Sequence, residues 1–211
     1  MKRIYFLLLA SLLSFTSAAQ AHFPNQTPEA DYAESRSLYD RALYSSASEG
    51  FQSILRRVDK QTDLAEQSHC YRVLCAIKLM NRDSDEQVHG FLQSYPTSAR
   101  RVELLIEMSE YAFNRRRYKD AKKWLKQLDG VRLPKAQRAA VQFKLGYSYF
   151  LLKEYDQARP QLAAVKASKY PDAKSAQYYY GHIAYLDSND VTALACFEPL
   201  RSHQQFGAVV P

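Results

Sequence analysis

One spacing governs this chain: residues of like kind return about every 37 positions, so it can only be a stack of similar units. Tyr44, Asn81, Tyr118 and Tyr155 fall 37 residues apart. The same step carries Ala47 to Ser84, Ala121 and Ala158, and a step of 35 then reaches Ala193. Phe51, Val88, Leu125, Leu162 and Phe197 keep that register, as do Ile54, Phe91, Leu128, Val165 and Leu200. A fifth column holds Ser35, Arg72, Ser109, Gly146 and Gly181, where only Arg72 is not small. A sixth holds Leu38, Cys75, Ala112, Tyr149 and Ala184. Units of this size cannot bury an apolar face alone, so each must be covered by its neighbours.

Within a unit the spacing is helical. Ala158, Leu162 and Val165 stand at i, i+4 and i+7, one face of a helix. A small residue followed by two large ones lets that helix lie close to a neighbour and then fill the gap. Gly146 and Gly181 permit the reciprocal approach; a helical Gly costs about 1 kcal/mol against Ala and so needs a packing reason. Thr27-Pro28-Glu29 is a cap with Pro at the first helical position, Pro134 opens a helix the same way, and Asp129-Gly130 closes one. Tyr95-Pro96 and Tyr170-Pro171 separate units. These signals give five helical hairpins, at about 28–59, 65–94, 100–129, 135–168 and 173–203, with no strand alternation. Pro160 and Pro199 fall inside second helices, where a kink or a late start is expected.

The fourth hairpin, with Leu145, Gly146, Tyr149, Tyr155, Ala158, Leu162 and a closing Pro171, resembles the tetratricopeptide repeat. The fifth resembles it through Gly181, Ala193 and Phe197, and weaker matches run back through Ala121, Leu125 and Leu128 to Ala47, Phe51 and Ile54. The unit is longer than the usual length of about 34 residues, Arg72 departs from a small column, and no Trp opens a hairpin. The resemblance implies an all-α, right-handed solenoid whose first helices line a concave groove that binds a peptide or protein.

The N-terminus carries an address. Lys2 and Arg3 precede the apolar run Ile4 to Leu13, and Ala19-Gln20-Ala21 fits an A-x-A cleavage site. Residues 1–21 thus constitute a Sec-type secretory signal, too short in its apolar part to span a bilayer of about 30 Å. Cleavage leaves His22 first; with no Cys there, a lipoprotein is disfavoured. The expected mature region, 22–211, is the repeat array, periplasmic or outer-membrane-associated. Its formal charge falls from +7 to +5 as Lys2 and Arg3 leave, which suits solubility; export argues against nucleic acid as partner. Cys70, Cys75 and Cys196 make no disulfide framework and fit buried thiols. The tail Phe206-Gly207-Ala208-Val209-Val210-Pro211 is apolar and uncapped, so the reading frame is expected to continue into further repeats.

On the implied inner face, the fourth hairpin offers Phe143, Tyr147 and Phe150, and the fifth Tyr178, His182 and Tyr185. Counterparts are Tyr32, Arg36 and Tyr39 in the first hairpin and Ile106, Glu110 and Phe113 in the third. Each stripe serves either as ordinary packing between hairpins or as a Tyr-lined binding face. Some members of the family grip a C-terminal carboxylate with paired Lys and Asn; the matching pairs here, His69 with Val73 among them, contain neither. A basic cluster, Arg115, Arg116, Arg117, Lys119, Lys122, Lys123 and Lys126, reads as a solvated face or as an anion patch. None of the five histidines sits in a metal or catalytic frame, and nucleophile-elbow and phosphate-loop motifs are missing. The expectation is therefore a non-catalytic protein-interaction scaffold without cofactor or metal. Glycan or small-ligand capture in the same groove is the alternative, as is an accessory domain of a larger enzyme or secretion assembly.

Overall fold

The computed structural model describes residues 27–208; the segment read as a secretory signal, 1–21, lies outside the described residues, as do 22–26 and 209–211. Ten α-helices follow one another in pairs, with no strand among the described residues. They are α1 (Pro28–Asp40), α2 (Tyr44–Leu55), α3 (Asp63–Lys78), α4 (Ser84–Ser94) and α5 (Arg101–Asn114). The second half comprises α6 (Tyr118–Leu125), α7 (Lys135–Leu151), α8 (Tyr155–Lys166), α9 (Ala173–Leu186) and α10 (Asp190–Phe197). The chain is an all-α solenoid of five helical hairpins.

Caps set several of the starts. The Thr27 hydroxyl accepts the Ala30 N–H at 3.3 Å with Pro28 next in line, and Thr62 repeats this toward Ala65 at 3.2 Å. Pro134 is one residue further out than the sequence suggested: it is the extended cap of α7, and Lys135 is the first helical residue. Pro160 does not delay α8, which begins at Tyr155. It lies in the second turn, where its missing N–H forgoes only the bond to the Asp156 carbonyl. Pro199 falls in a short 3₁₀ turn, Glu198–Leu200, that continues α10.

The turn inside every hairpin is the same. Ala42, Met80, Arg116, Lys153 and Ser188 all adopt left-handed backbone, with φ between 57° and 61°. Around each, one N–H reaches back five residues and another three, as in Leu43 to Leu38 (2.9 Å) and Ala42 to Tyr39 (2.9 Å). This is the Schellman closure, which satisfies the carbonyls at a helix end. None of the five is glycine, although a left-handed L-residue costs about 1–2 kcal/mol. Register, then, is imposed by the two flanking helices packing on each other, not by the turn residue.

That packing follows the columns. Ala47, Ala121, Ala158 and Ala193, with Ser84, are buried, and so are all ten large residues of the two columns after them. A Cβ on Gly146 would sit 2.9 Å from Leu162 Cγ, and one on Gly181 would sit 2.8 Å from both Cys196 Cβ and the Phe197 ring. The turns also correct two columns. Asn81 N–H bonds the Ala76 carbonyl just as Leu43 bonds Leu38 and Arg117 bonds Ala112. Ala76 thus takes the place assigned to Cys75, and Val73 the small-residue place assigned to Arg72. One residue is gained before the second turn and lost again before Ser84, so the step of 37 held for α4 but slipped by one in α3.

Candidate functional site

The turn residues provide a common frame for the first helices. Nine positions before each of the last four stand Tyr71, Glu107, Lys144 and Tyr179. Six positions before them stand Arg36, Leu74, Glu110, Tyr147 and His182. Successive first helices meet where the first set faces the second set of the preceding hairpin. The Arg36 guanidinium carbon lies 4.1 Å from the Tyr71 ring centroid, Lys144 Nζ lies 2.5 Å from Glu110 Oε1, and the Tyr179 and Tyr147 rings are 4.7 Å apart. Where Leu74 offers no charge, Glu107 reaches Lys78 instead, at 2.5 Å.

Tyr71 and Tyr179 were not among the residues singled out by sequence. The reason is register: the inner-face stripe follows one column from hairpin to hairpin, and these two residues stand beside it. Both are hubs. Tyr71 packs against Tyr32, Tyr39 and Phe51, the last stacked at 5.6 Å. Tyr179 packs against Tyr147, Phe150 (5.0 Å) and Tyr178 (5.2 Å). Burial, followed by a hydrogen bond with Tyr147, pushes the Tyr179 hydroxyl well above the usual phenol range. Tyr118 is raised by burial and then by Tyr147, and the Tyr147 ring of α7 lies 5.6 Å from that of Tyr118 on α6 and 4.7 Å from that of Tyr179 on α9.

Five of the six proposed binding residues join this aromatic network. Phe143 stacks on Tyr147 (5.9 Å), Phe150 reaches His182 (6.3 Å), and Tyr178 meets His182 edge-on at 4.6 Å. Tyr178 is also covered by Phe206, 5.2 Å away and nearly parallel. All five are half-buried, so each is both packing and face. Burial holds the His182 imidazole below its ordinary range, hence neutral. Tyr185 differs: it is 58% exposed and lines a shallow hollow with Leu194 and Phe197, next to exposed Val191 and Leu186.

The basic cluster divides. Arg117 is committed to Asp85 (2.7 Å) and Asp120 (2.8 Å), and Lys122 to Glu154 at the start of the next hairpin's second helix (2.6 Å). The Asp85 carboxylate also accepts the Trp124 indole N–H at 2.9 Å, tying α4 to α6. Arg115, Arg116, Lys119, Lys123 and Lys126 are exposed; Lys123 lies over Trp124 and donates toward His89 at 3.2 Å. Cys70, Cys75 and Cys196 are free and buried, and burial pushes the first two thiols up to about 12. No group of three metal-ligating side chains gathers among the described residues, and no helix there is long and apolar enough to cross a membrane.

No family model and no curated protein sequence matches the chain. Solved structures do. MamA (AMB-1) superimposes with a TM-score of 0.66 at 15% identity, covering 87% of this chain and 97% of that one. A kinesin light chain protein of Podosopora anserina with nearly identical TPR-like repeats superimposes with a TM-score of 0.58 at 13% identity, covering 87% and 98%. At such identities the likeness establishes the architecture: stacked hairpins of tetratricopeptide type.

Proposed function

We propose that this tetratricopeptide-type array is a non-catalytic scaffold that holds a peptide or partner protein against the aromatic face of its last two hairpins. One observation carries the reading: half-buried Phe143, Tyr147, Phe150, Tyr178 and His182 join one aromatic network, and exposed Tyr185 stands one turn beyond His182 on α9. Tyr combines large apolar area with a hydroxyl at low entropic cost, and such residues dominate interface energetics. The neutral His182 keeps that surface free of charge at physiological pH.

Because Tyr147 and Tyr178 also hold hairpins together, the discriminating substitution is at Tyr185. Peptides selected from a displayed library on the immobilised array should bind Tyr185→Ala at least about tenfold more weakly, with an unaltered melt. Equal titration curves for both proteins would remove the face from consideration. A glycan array run beside the library tests sugar capture by the same rings.

The site of action belongs to the same proposal: the cell envelope, periplasmic or outer-membrane-associated. The charged start, apolar run and Ala19-Gln20-Ala21 of the N-terminus support it, and buried thiols tolerate an oxidising compartment. Intact mass of the protein from its native host should correspond to a chain beginning at His22. A retained Met1 would contradict export by this signal.

A further inference from the structure

Eight positions before the left-handed turn residue, the later hairpins carry Met108, Leu145 and Tyr180. Met108 and Leu145 are buried and fill the space beside the second helices, and Tyr180 is capped by the Lys166 ammonium at 4.4 Å. The second hairpin has Arg72 at this place. A guanidinium there faces an open cavity of about 500 Å³ between α2, α3 and the end of α4.

The lining of that cavity has one sign of charge. Lys60, from the connection between α2 and α3, is a second cation beside Arg72, and no carboxylate lines the space. Gln52 and Gln61 bring amides, while the Ser94 hydroxyl at the rim donates to the Gly90 carbonyl at 2.8 Å. Asp59 lies close in sequence but is turned to accept the Gln61 N–H at 2.8 Å. Asp83 eases the charge on Arg72, yet Arg72 makes no salt bridge among the described residues, and its Nε is buried without a hydrogen-bond partner. A partly buried guanidinium without a salt bridge is costly unless something answers it.

The surroundings are fixed in advance. The Tyr95 hydroxyl donates to the Lys60 carbonyl at 3.0 Å, which pins the loop that carries the second cation. The His69 ring is held edge-on to Phe91 and Tyr95, at 5.4 Å and 5.8 Å. Burial first, and the Arg72 charge second, bring its imidazole down to about 4, so at neutral pH it offers one N–H without adding charge.

We propose that this cavity is an oxyanion site, in which the Arg72 fork and Lys60 take the carboxylate or phosphate group of a small ligand. A planar guanidinium matches either group with paired N–H bonds, and Lys60 adds a point charge. The site is built from the first two hairpins, shares no residue with the aromatic face of the last two, and does not depend on it.

The test titrates ¹⁵N-labelled protein with succinate, with inorganic phosphate, and with sodium chloride at matched ionic strength. Saturable shifts of the Gln61 and Arg72 amides are expected with one or both oxyanions and not with chloride; the arm that saturates names the group. Arg72→Met repeats the side chain at Met108 and should fold, while binding falls at least tenfold. Arg72→Lys, with charge but no fork, should fall in between. Tyr185→Ala should titrate like the parent. Shifts no larger than those with chloride, or an Arg72→Met titration identical to the parent's, would overturn the site.

Discussion

Trp124→Ala is expected to lower the stability of the array by about 3–5 kcal/mol, the cost of truncating a large buried aromatic. Trp124 is fully buried on α6, inside a cluster drawn from four helices that includes Leu74, Phe91, Leu104 and Met108. Its indole N–H also satisfies one oxygen of Asp85, whose other oxygen holds Arg117. The Ala variant therefore leaves a cavity and strips one bond from a carboxylate that binds two hairpins. At roughly 2–4 °C per kcal/mol for a chain of this size, the melting temperature should drop by about 6–20 °C. Calorimetry on both proteins decides; a drop of only 1–2 °C would mean that the central cluster is not the keystone of the array.

Gly181→Leu should be nearly as damaging, by the opposite mechanism. Even a Cβ at this position would come within 2.8 Å of Cys196 Cβ and of the Phe197 ring, and neither is the loose end of a flexible chain. A leucine must push α9 from α10, which opens the hairpin that Ala184, Ala193 and Phe197 close. Overpacking typically costs about 1–3 kcal/mol, and a side chain of this size at such contact belongs at the upper end or beyond. The damage should stay local, since repeat arrays are stabilised neighbour by neighbour. Hydrogen exchange should show lost protection in α9 and α10 while α3 to α6 keep theirs. Unchanged protection in the last hairpin would show that the contact is softer than its distances imply.

How far the sequence reaches into this molecule depends on which side chains carry the pattern. The second helices were plain because each needs one small residue and two large ones on a single face, and these all became core. The first helices were harder. Their spacing is measured from turns closed by Ala, Met, Arg, Lys and Ser, residue types with no left-handed signature, so a slip of one residue in α3 left no trace in the string. That slip put Arg72 in a column to which it does not belong and hid Tyr71 as the partner of Arg36. It also hid the column that joins Tyr71 to Tyr179. The aromatic stripe was readable as a stripe, yet its double character was not: Tyr178 lies under Phe206, an approach between residues that no helical period relates. Arg117 and Lys122 likewise looked like a solvated run until their carboxylate partners came in from neighbouring hairpins.

The meeting points of the first helices have a mechanical consequence. At the two ends of the array these joints are made of rings: Tyr71 under Arg36 and between Tyr32 and Tyr39, and Tyr179 against Tyr147 and Phe150. In the middle, ion pairs at partly exposed side chains, Lys78 with Glu107 and Lys144 with Glu110, flank the buried apolar packing of α3 on α5. Aromatic contacts add about 0.5–1.5 kcal/mol beyond their burial and ignore salt, whereas exposed pairs contribute about 0.2–1 kcal/mol and are screened. Salt should therefore weaken the polar rim of the middle joints and leave the ring contacts at the two ends of the array unaltered.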